Sequence, residues 1–140
     1  MSEVFKGLWI SGYDIIKSKE FFNYIEPTHI LNCAEELSPT YINPVICHKL
    51  PMIDDVDDEA IHQILEGASL LHKWISSNTT VLVHCRAGIS RSATIILAWM
   101  ILYAEYSYKD AFAHLRSVRP IVQPNEFYTE ILKSLDQNKN

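Results

Sequence analysis

The chain has 140 residues, of which 48% are hydrophobic and 21% charged, and these proportions indicate one globular domain rather than a disordered chain. Twelve Lys and Arg against 17 Asp and Glu give a net charge of -5, which argues against a dedicated nucleic-acid-binding protein. The longest apolar run, residues 94–104, is shorter than the roughly 20 residues that a membrane span needs.

The cysteines and the N-terminal residues indicate in which cellular compartment the protein is expected. Cys33, Cys47 and Cys85 are odd in number and follow no metal-ligand spacing, which predicts free thiols in a reducing compartment and no metal site. Residues 1–5 carry no signal-peptide pattern, and Ser2 replaces the glycine that myristoylation requires. We therefore expect a cytoplasmic or nuclear monomer, one domain over residues 1–140, with no membrane anchor and no nucleic-acid partner.

Short apolar runs alternate with helical periodicity along the chain, which predicts an α/β fold. We expect a central, mostly parallel sheet of about five strands flanked by helices. A short helix over residues 19–24 begins after Ser18, a residue type that caps helices. The predicted strands cover residues 8–10, 28–32, 45–50 and 80–83.

The strand predicted over residues 80–83 is rich in β-branched residues and shows no alternation, which is typical of a central strand buried on both faces. Before it, the acidic residues 57–59 predict the first turn of a helix, because acidic side chains favour the positive end of a helix dipole. The apolar face of that helix is predicted to comprise Ile61, Ile64, Leu65, Ala68, Leu71 and Ile75.

Three further helices are predicted after the central strand. A long apolar helix covers about residues 90–105, and a capping box at residues 107–110 begins the next one. Arg119-Pro120 ends that second helix. The last helix begins near residues 124–125, and residues 137–140 are expected to fray.

The stretch from 81 to 92 reads Val-Leu-Val-His-Cys-Arg-Ala-Gly-Ile-Ser-Arg-Ser, so a strand runs through a loop into a helix. Loop amides at a helix N-terminus can form a ring that binds a phosphate-like dianion, and Gly88 permits the tight turn. Cys85 lies at the base of this ring, where the same field favours a thiolate placed for in-line attack on phosphorus. The residues expected to bind the phosphate are Arg86, Ala87, Gly88, Ile89, Ser90 and Arg91.

The chemistry of phosphate transfer assigns roles to other residues. The planar guanidinium of Arg91 can hold two equatorial oxygens, and it does so best in the transition state. The hydroxyl of Ser92 can donate to the Cys85 sulfur and help it leave. A displaced alkoxide or phenolate needs a proton, and the candidate acids are Asp54 and Asp55 on the loop after the third predicted strand.

Residues 84–94 resemble the His-Cys-x5-Arg signature of cysteine-dependent protein tyrosine phosphatases, and they are most similar to the small, atypical dual-specificity branch. The resemblance covers nearly the whole chain. Two departures are Trp99, where the family usually has Tyr, and Glu126, where it usually has Gly. The other segments that resemble the family are residues 30–36, 51–54, 97–100 and 119–125.

This resemblance implies a phosphatase of phosphorylated proteins that needs no cofactor. It implies that Cys85 is the nucleophile and that His84 orients the loop and tunes the thiolate. The family's Pro-x-x-Asp pattern selects Asp54 as the general acid and base, with Asp55 as its rival.

The resemblance extends to less specific positions. It implies that Asn32 bonds to the phosphate loop, and that Arg119 and Asn125 lie near the pocket rim, where Arg119 would meet a second phosphate. In relatives that act on lipids, a cysteine at the position of Cys33 can form a disulfide with the catalytic cysteine under oxidation, which suggests that Cys33 is a resolving thiol for Cys85. The alternative is that Cys33 is only a small buried residue of the core.

Two alternatives remain beside hydrolysis of phosphorylated proteins. The same mechanism would serve a phosphoinositide, a phosphoglucan or an RNA 5′-phosphate, although the two lysines usual in the loop of lipid phosphatases are missing here. A phosphopeptide-binding pseudophosphatase would typically lack the nucleophile or the acid, and this sequence has candidates for both.

Overall fold

The computed structural model describes residues 1–139 as one α/β unit with a five-stranded sheet. The strands are β1 (Ser2–Phe5), β2 (Leu8–Ser11), β3 (His29–Asn32), β4 (Ile46–Lys49) and β5 (Val81–His84). The helices are α1 (Tyr13–Ile16), α2 (Lys19–Ile25), α3 (Ala60–Trp74), α4 (Arg91–Tyr103), α5 (Tyr108–Val118) and α6 (Glu126–Asn138).

The sheet has the strand order β1-β2-β5-β3-β4, and only β1 is antiparallel to its neighbour. This confirms the predicted fold class, including the central position of β5, whose four residues are all buried. The fifth strand is β1, which was not among the four strands located from the sequence.

The two faces of the sheet are covered by different helices. Helices α3 to α6 contribute to the larger hydrophobic core, together with Val81 and Val83 of β5. Helices α1 and α2 form a smaller core against Ile30 and Leu82, on the other face. Successive side chains of β5 thus enter two apolar layers, which accounts for the apolar run Val81-Leu82-Val83 that precedes His84.

The strand register brings four connecting segments to one edge of the sheet. His84 at the end of β5 pairs with Ser11 on one side and with Asn32 on the other, and Asn32 pairs in turn with Lys49. Since these four strands are parallel, the segments that follow them all leave from the same edge. In open α/β sheets this edge is where ligands bind.

Helix α4 follows the loop after β5 and is the most deeply buried helix. Of its residues 91–103, all but Trp99 and the last two are buried, and α4 packs against α3, α5 and α6. A helix that is apolar all round needs such surroundings. The loop that precedes α4 is thus anchored between a buried strand and a buried helix.

Helix α3 differs from its predicted form in two ways. It begins at Ala60, after the acidic residues 57–59, and the Ala60 amide donates to the Asp57 carbonyl before the helix proper. Ile61 and Leu65, predicted to face the core, are about 40% exposed (39% and 40%), so that prediction is wrong. The buried face is shifted round the helix and consists of Ala60, Ile64, Gly67, Ala68 and Leu71.

The predicted starts of α2, α5 and α6 are confirmed by their caps. Ser18, Ser107 and Asn125 each accept a hydrogen bond from the amide three residues on, at 2.8–3.2 Å. The predicted fraying is wrong for residues 137–138, which belong to α6, and Asn140 lies outside the described residues. None of the helices described in residues 1–139 combines the length and apolar character needed to cross a membrane.

Candidate active site

The loop of residues 85–90 connects β5 to α4 and encloses the Cys85 sulfur. The Gly88 amide donates to Cys85 Sγ at 3.2 Å, and Ser92 Oγ lies 3.2 Å from the same sulfur. Cys85 is only 2% exposed. Two hydrogen-bond donors are therefore available to stabilise negative charge on this sulfur.

Gly88 is the turning point of this loop. Its φ of +66° lies in the left-handed region, and a Cβ there would come within 2.6–2.8 Å of the Arg119 guanidinium and the Ser11 backbone. At Gly12 a Cβ would lie 2.9 Å from the Arg86 carbonyl oxygen. The loop thus lies directly against the end of β2, where only glycine allows the approach.

Arg119 holds the loop from the outside. Its Nε donates to the Gly88 carbonyl at 2.8 Å and its Nη2 to the Ala87 carbonyl at 3.2 Å, while Nη1 reaches Ser2 Oγ at 3.3 Å. Arg119 lies beside the loop, near the site, and a contact between its guanidinium and a second phosphate stays a prediction. Its bonds to the two carbonyls fix the shape of the loop.

His84 is completely buried behind the loop. Burial lowers the pKa of its imidazole to about 4, so the ring is neutral at pH 7. Its Nε2 lies 2.9 Å from the Tyr41 hydroxyl and its Nδ1 3.3 Å from the Cys85 carbonyl oxygen. Since the Cys85 carbonyl oxygen can only accept, Nδ1 carries the proton and Nε2 accepts from the Tyr41 hydroxyl, whose pKa is raised by burial.

Asp54 reaches the loop from the segment after β4. Its Oδ1 accepts hydrogen bonds from Ser90 Oγ at 2.8 Å and from Asn125 Nδ2 at 2.9 Å. Among residues 1–139, the Asp55 carboxylate accepts only from the next backbone amide, that of Val56. Of the two candidate acids, Asp54 is the one that the structure brings to the loop.

The segment 53–55 is itself held by α6, the helix that carries Asn125 at its start. The buried Tyr128 donates its hydroxyl to the Ile53 carbonyl. Asn125 lies near the site, as the resemblance implied. Its backbone amide donates to Ser90 Oγ at 3.0 Å, in addition to the bond from its side chain to Asp54.

Arg91 at the start of α4 forms an ion pair that the sequence did not indicate. Its Nη1 donates to Glu36 Oε1 at 2.6 Å and its Nη2 to Glu36 Oε2 at 2.8 Å. The Arg86 Nε donates to Glu36 Oε2 at 3.0 Å. The hydrogen bond from Arg91 lowers the pKa of the Glu36 carboxyl to about 2, and Glu36 raises the pKa of Arg91.

Asn32 lies at the end of β3, and its contacts correct the expectation drawn from the resemblance. Its Oδ1 accepts from the Ala34 amide at 2.9 Å and its Nδ2 donates to the Leu37 carbonyl at 2.8 Å. These bonds organise the turn over residues 33–37 that carries Glu36, and they do not reach the phosphate loop.

The other cysteines differ in environment. Cys33 is a buried free thiol whose pKa is raised by burial and by the nearby Cys85, whereas Cys47 is a free thiol on the exposed strand β4. A bridge between Cys33 and Cys85 stays a prediction. Among residues 1–139, no group of three or more His, Cys, Asp and Glu side chains is arranged to hold a metal ion.

Comparison with known proteins agrees with this geometry. Residues 8–138 match the sequence model of the family described as "Dual specificity phosphatase, catalytic domain". The chain therefore belongs to this family of protein tyrosine phosphatase-type hydrolases, which confirms the resemblance found in the signature.

Individual relatives give the degree of similarity. The chain is 32% identical over 136 residues, 94% of its length, to the MAP kinase phosphatase with leucine-rich repeats protein 3 of Dictyostelium discoideum. It is 28% identical over 138 residues to the dual specificity protein phosphatase 1B of Arabidopsis thaliana, covering 99% of this chain and 83% of that protein. The crystal structure of human DUSP28 superposes with a TM-score of 0.88 at 20% identity, covering 98% and 96% of the two chains.

Several relatives are much longer than this chain. It spans 16–19% of the Dictyostelium protein, the protein-tyrosine-phosphatase MKP1 of Arabidopsis and the human Slingshot homolog 3.

Proposed function

We propose that this protein is a phosphatase that hydrolyses phosphotyrosine and phosphoserine or phosphothreonine in proteins through a phosphocysteine on Cys85. The observation that carries the proposal is the environment of the Cys85 sulfur. Gly88 N and Ser92 Oγ lie 3.2 Å from it, inside a loop that Asp54 contacts through Ser90.

In the first step the Cys85 thiolate attacks phosphorus in line with the leaving oxygen. A sulfur–phosphorus bond forms, the phosphorus–oxygen bond of the substrate breaks, and Asp54 transfers its proton to the departing alkoxide or phenolate. The loop amides and the Arg91 guanidinium stabilise the charge that spreads over the equatorial oxygens.

In the second step water attacks the phosphocysteine. Asp54, now a carboxylate, takes a proton from the water as the oxygen–phosphorus bond forms. The sulfur–phosphorus bond breaks, and the thiolate is stabilised by the Ser92 hydroxyl and the Gly88 amide. Inorganic phosphate leaves, and the starting protonation states are restored.

The proposed range of substrates rests on the short connections around the site. A chain of 140 residues has short loops, which predict a shallow pocket that admits the short side chains of phosphoserine and phosphothreonine as well as phosphotyrosine. Exposed apolar side chains near Asp54, Ile53 at 52% and Val56 at 70% exposure, offer contact to the polypeptide around the phosphorylated residue.

The test is phosphate release by the wild-type protein and by Cys85→Ser, with chelator present, from a phosphotyrosine peptide, a phosphothreonine peptide and a phosphoinositide. Cys47→Ser is the matched control, because it removes an exposed thiol outside the site. We expect turnover of both peptides by the wild type and by Cys47→Ser, and none by Cys85→Ser. Turnover of the phosphoinositide alone would mean that the protein acts on lipids by the same mechanism. Tight binding of a phosphopeptide without turnover would indicate a phosphopeptide-binding module.

A further inference from the structure

A cleft of about 340 Å³ opens at the start of α6, directly beside the phosphate loop. The Gln123 backbone amide donates to the Ile89 carbonyl at 2.8 Å, and the Asn125 amide donates to Ser90 Oγ at 3.0 Å. One wall of the cleft is therefore bonded to the loop proposed to bind the phosphoryl group. The lining comes from the turn before α6 and from the first part of that helix, and consists of Gln123, Pro124, Glu126, Thr129, Glu130 and Lys133.

Two carboxylates of this cleft are not neutralised within the described part of the chain. Glu126 and Glu130 are exposed, and neither forms an ion pair or a side-chain hydrogen bond among residues 1–139. Because they lie four residues apart on α6, their charges share one face of the helix and repel each other. The lysine of the lining, Lys133, places its Nζ 5.8 Å from the centroid of the Tyr108 ring instead.

Arg116 of α5 also approaches the cleft, but its guanidinium is directed to the turn before α6. Its Nη2 donates to Gln123 Oε1 at 2.6 Å and its Nε to the Val122 carbonyl at 3.0 Å, and the group lies over the Phe112 ring. The cleft thus presents two negative charges to solvent, where a cation from another molecule can meet them.

Glu126 is also a position at which this chain departs from its family, which usually has Gly there. The preceding Asn125 donates from Nδ2 to Asp54 Oδ1 at 2.9 Å, so Glu126 directly follows a residue that bonds to the proposed acid. A peptide advances by at most about 3.3–3.6 Å per residue. A side chain about two or three residues from a phosphorylated residue in the loop is therefore the one that reaches this cleft.

We propose that Glu126 and Glu130 are specificity-determining residues, and that their cleft binds an arginine or lysine side chain of the protein substrate. This inference rests on the proposed phosphatase function and narrows its substrates to phosphorylated segments with a basic residue nearby. A guanidinium or ammonium in the cleft forms charge-assisted hydrogen bonds with the carboxylates and relieves their mutual repulsion.

The first experiment compares phosphotyrosine peptides that differ at one position, with Arg, Gln or Glu placed in turn at about three positions on either side of the phosphotyrosine. At the best position we expect kcat/KM of the wild type to be about 5- to 10-fold higher with Arg than with Glu. The difference should lie chiefly in KM, because the contact is the same in the ground state and the transition state. It should shrink as the ionic strength rises, since salt screens exposed charges.

Variants of the cleft test which residues cause this preference. We expect Glu126→Gln to reduce the preference to about 3-fold, Glu126→Gln/Glu130→Gln to reduce it below about 2-fold, and Glu126→Arg to reverse it. Glu105→Gln is the matched control and should keep the wild-type preference. It removes an exposed carboxylate beyond the far end of α4, whose 13 residues separate it from the loop by about 20 Å.

A small aryl phosphate separates this inference from the phosphatase function, because it has no flanking peptide. All four variants should hydrolyse it at the wild-type rate. Absence of wild-type turnover on every phosphorylated substrate would contradict the phosphatase function. With turnover present, equal kcat/KM for the Arg and Glu peptides at every position would overturn the assignment of the cleft, as would a preference that survives in Glu126→Gln/Glu130→Gln.

Calorimetry in the Cys85→Ser background tests the cleft without turnover. Tighter binding of the Arg peptide than of the Glu peptide, lost in Glu126→Gln/Glu130→Gln but kept in Glu105→Gln, would support the proposal. Equal affinities for the two peptides would contradict it, whatever the catalytic activity of the wild type.

Discussion

Asp54 and Asp55 are adjacent in sequence, but their carboxylates have different partners. Asp54 accepts from Ser90 of the phosphate loop and from Asn125, whereas Asp55 accepts from a neighbouring amide. A general acid must lie within hydrogen-bond reach of the leaving oxygen, directly or through one water. Proximity to the loop therefore favours Asp54 as the acid in the proposed mechanism.

We predict that Asp54→Asn lowers kcat about 100- to 1000-fold on a phosphoserine or phosphothreonine peptide, because an alkoxide cannot leave without a proton. The loss should be much smaller on an aryl phosphate with an acidic leaving group, which departs unprotonated. Steady-state rates on the two substrates measure this difference.

Asp55→Asn is the matched control for Asp54→Asn and should retain wild-type rates on both substrates. A larger loss of kcat in Asp55→Asn than in Asp54→Asn, and one that depends on the leaving group, would mean that Asp55 is the general acid. Equal losses on both substrates in Asp54→Asn would indicate damage to the loop rather than loss of an acid.

Local spacing identified the site residues that lie close together along the chain, whereas Asp54 was selected by the family's Pro-x-x-Asp pattern. Cys85, Arg91 and Ser92 belong to one loop and helix start, so their spacing alone predicts their proximity. Glu36 and Tyr41 were missed because their partners, Arg91 and His84, lie 55 and 43 residues away. No local periodicity marks such a residue, since its role depends on the packing of separate strands.

At the scale of the elements, the phosphate loop depends on the close approach of β2. Gly88 has a left-handed φ of +66°, and its Cα faces both Ser11 and Arg119. The loop cannot move outward, because Arg119 holds the Gly88 carbonyl on that side. A side chain at this position must therefore either displace Arg119 or distort the loop.

We predict that Gly88→Ala lowers the free energy of unfolding by about 1–3 kcal/mol, the usual cost of a residue held in a sparsely populated conformation. Affinity for inorganic phosphate should fall at least 10-fold, because the amides of a distorted loop no longer converge. Urea denaturation and calorimetry measure the two effects.

Gly12→Ala provides a comparison for this prediction. Its φ is -93°, so alanine brings no left-handed strain, although its Cβ approaches the Arg86 carbonyl at 2.9 Å. We expect a smaller loss of stability than in Gly88→Ala. Wild-type phosphate affinity in Gly88→Ala would mean that the loop amides do not form the phosphate site.

The elements that the sequence failed to place depend on contacts between distant segments. Strand β1 has one buried residue, Val4, and therefore no hydrophobic pattern to detect. It is held by backbone pairing with β2 and by the His114 ring, which bonds to the Val4 carbonyl. Similarly, Ile61 and Leu65 fit the helical period of α3 but are about 40% exposed (39% and 40%), because the face of α3 that packs in the core is the adjacent one with Ile64, Ala68 and Leu71.

At the scale of the whole molecule, the alternation of strands and helices was enough to predict a mostly parallel sheet. It also predicted that β5 is central, because this strand has no polar face. The order of the outer strands was not predictable from periodicity, since each pairs through its backbone. That order nevertheless determines which loops meet Cys85 at the edge of the sheet.

The stability of the whole domain should depend on pH through His84. Its pKa in the folded protein is about 4, below the ordinary value of 6.5, because the ring is buried. The unfolded chain therefore binds a proton between pH 6.5 and 4 that the folded protein does not, and unfolding becomes easier as the pH falls through this range. Glu36, whose folded pKa is about 2 against 4.5, extends the loss below pH 4.5.

We predict that acidification from pH 7 to pH 4 removes about 3 kcal/mol of unfolding free energy through His84 alone, measured by urea denaturation. The loss should be absent or much reduced in His84→Gln, which cannot take up a proton. In the wild type, NMR of the imidazole nitrogens should detect a neutral ring with its proton on Nδ1 down to about pH 5. A protonated His84 ring at pH 6 would contradict this account, even if the variant failed to fold.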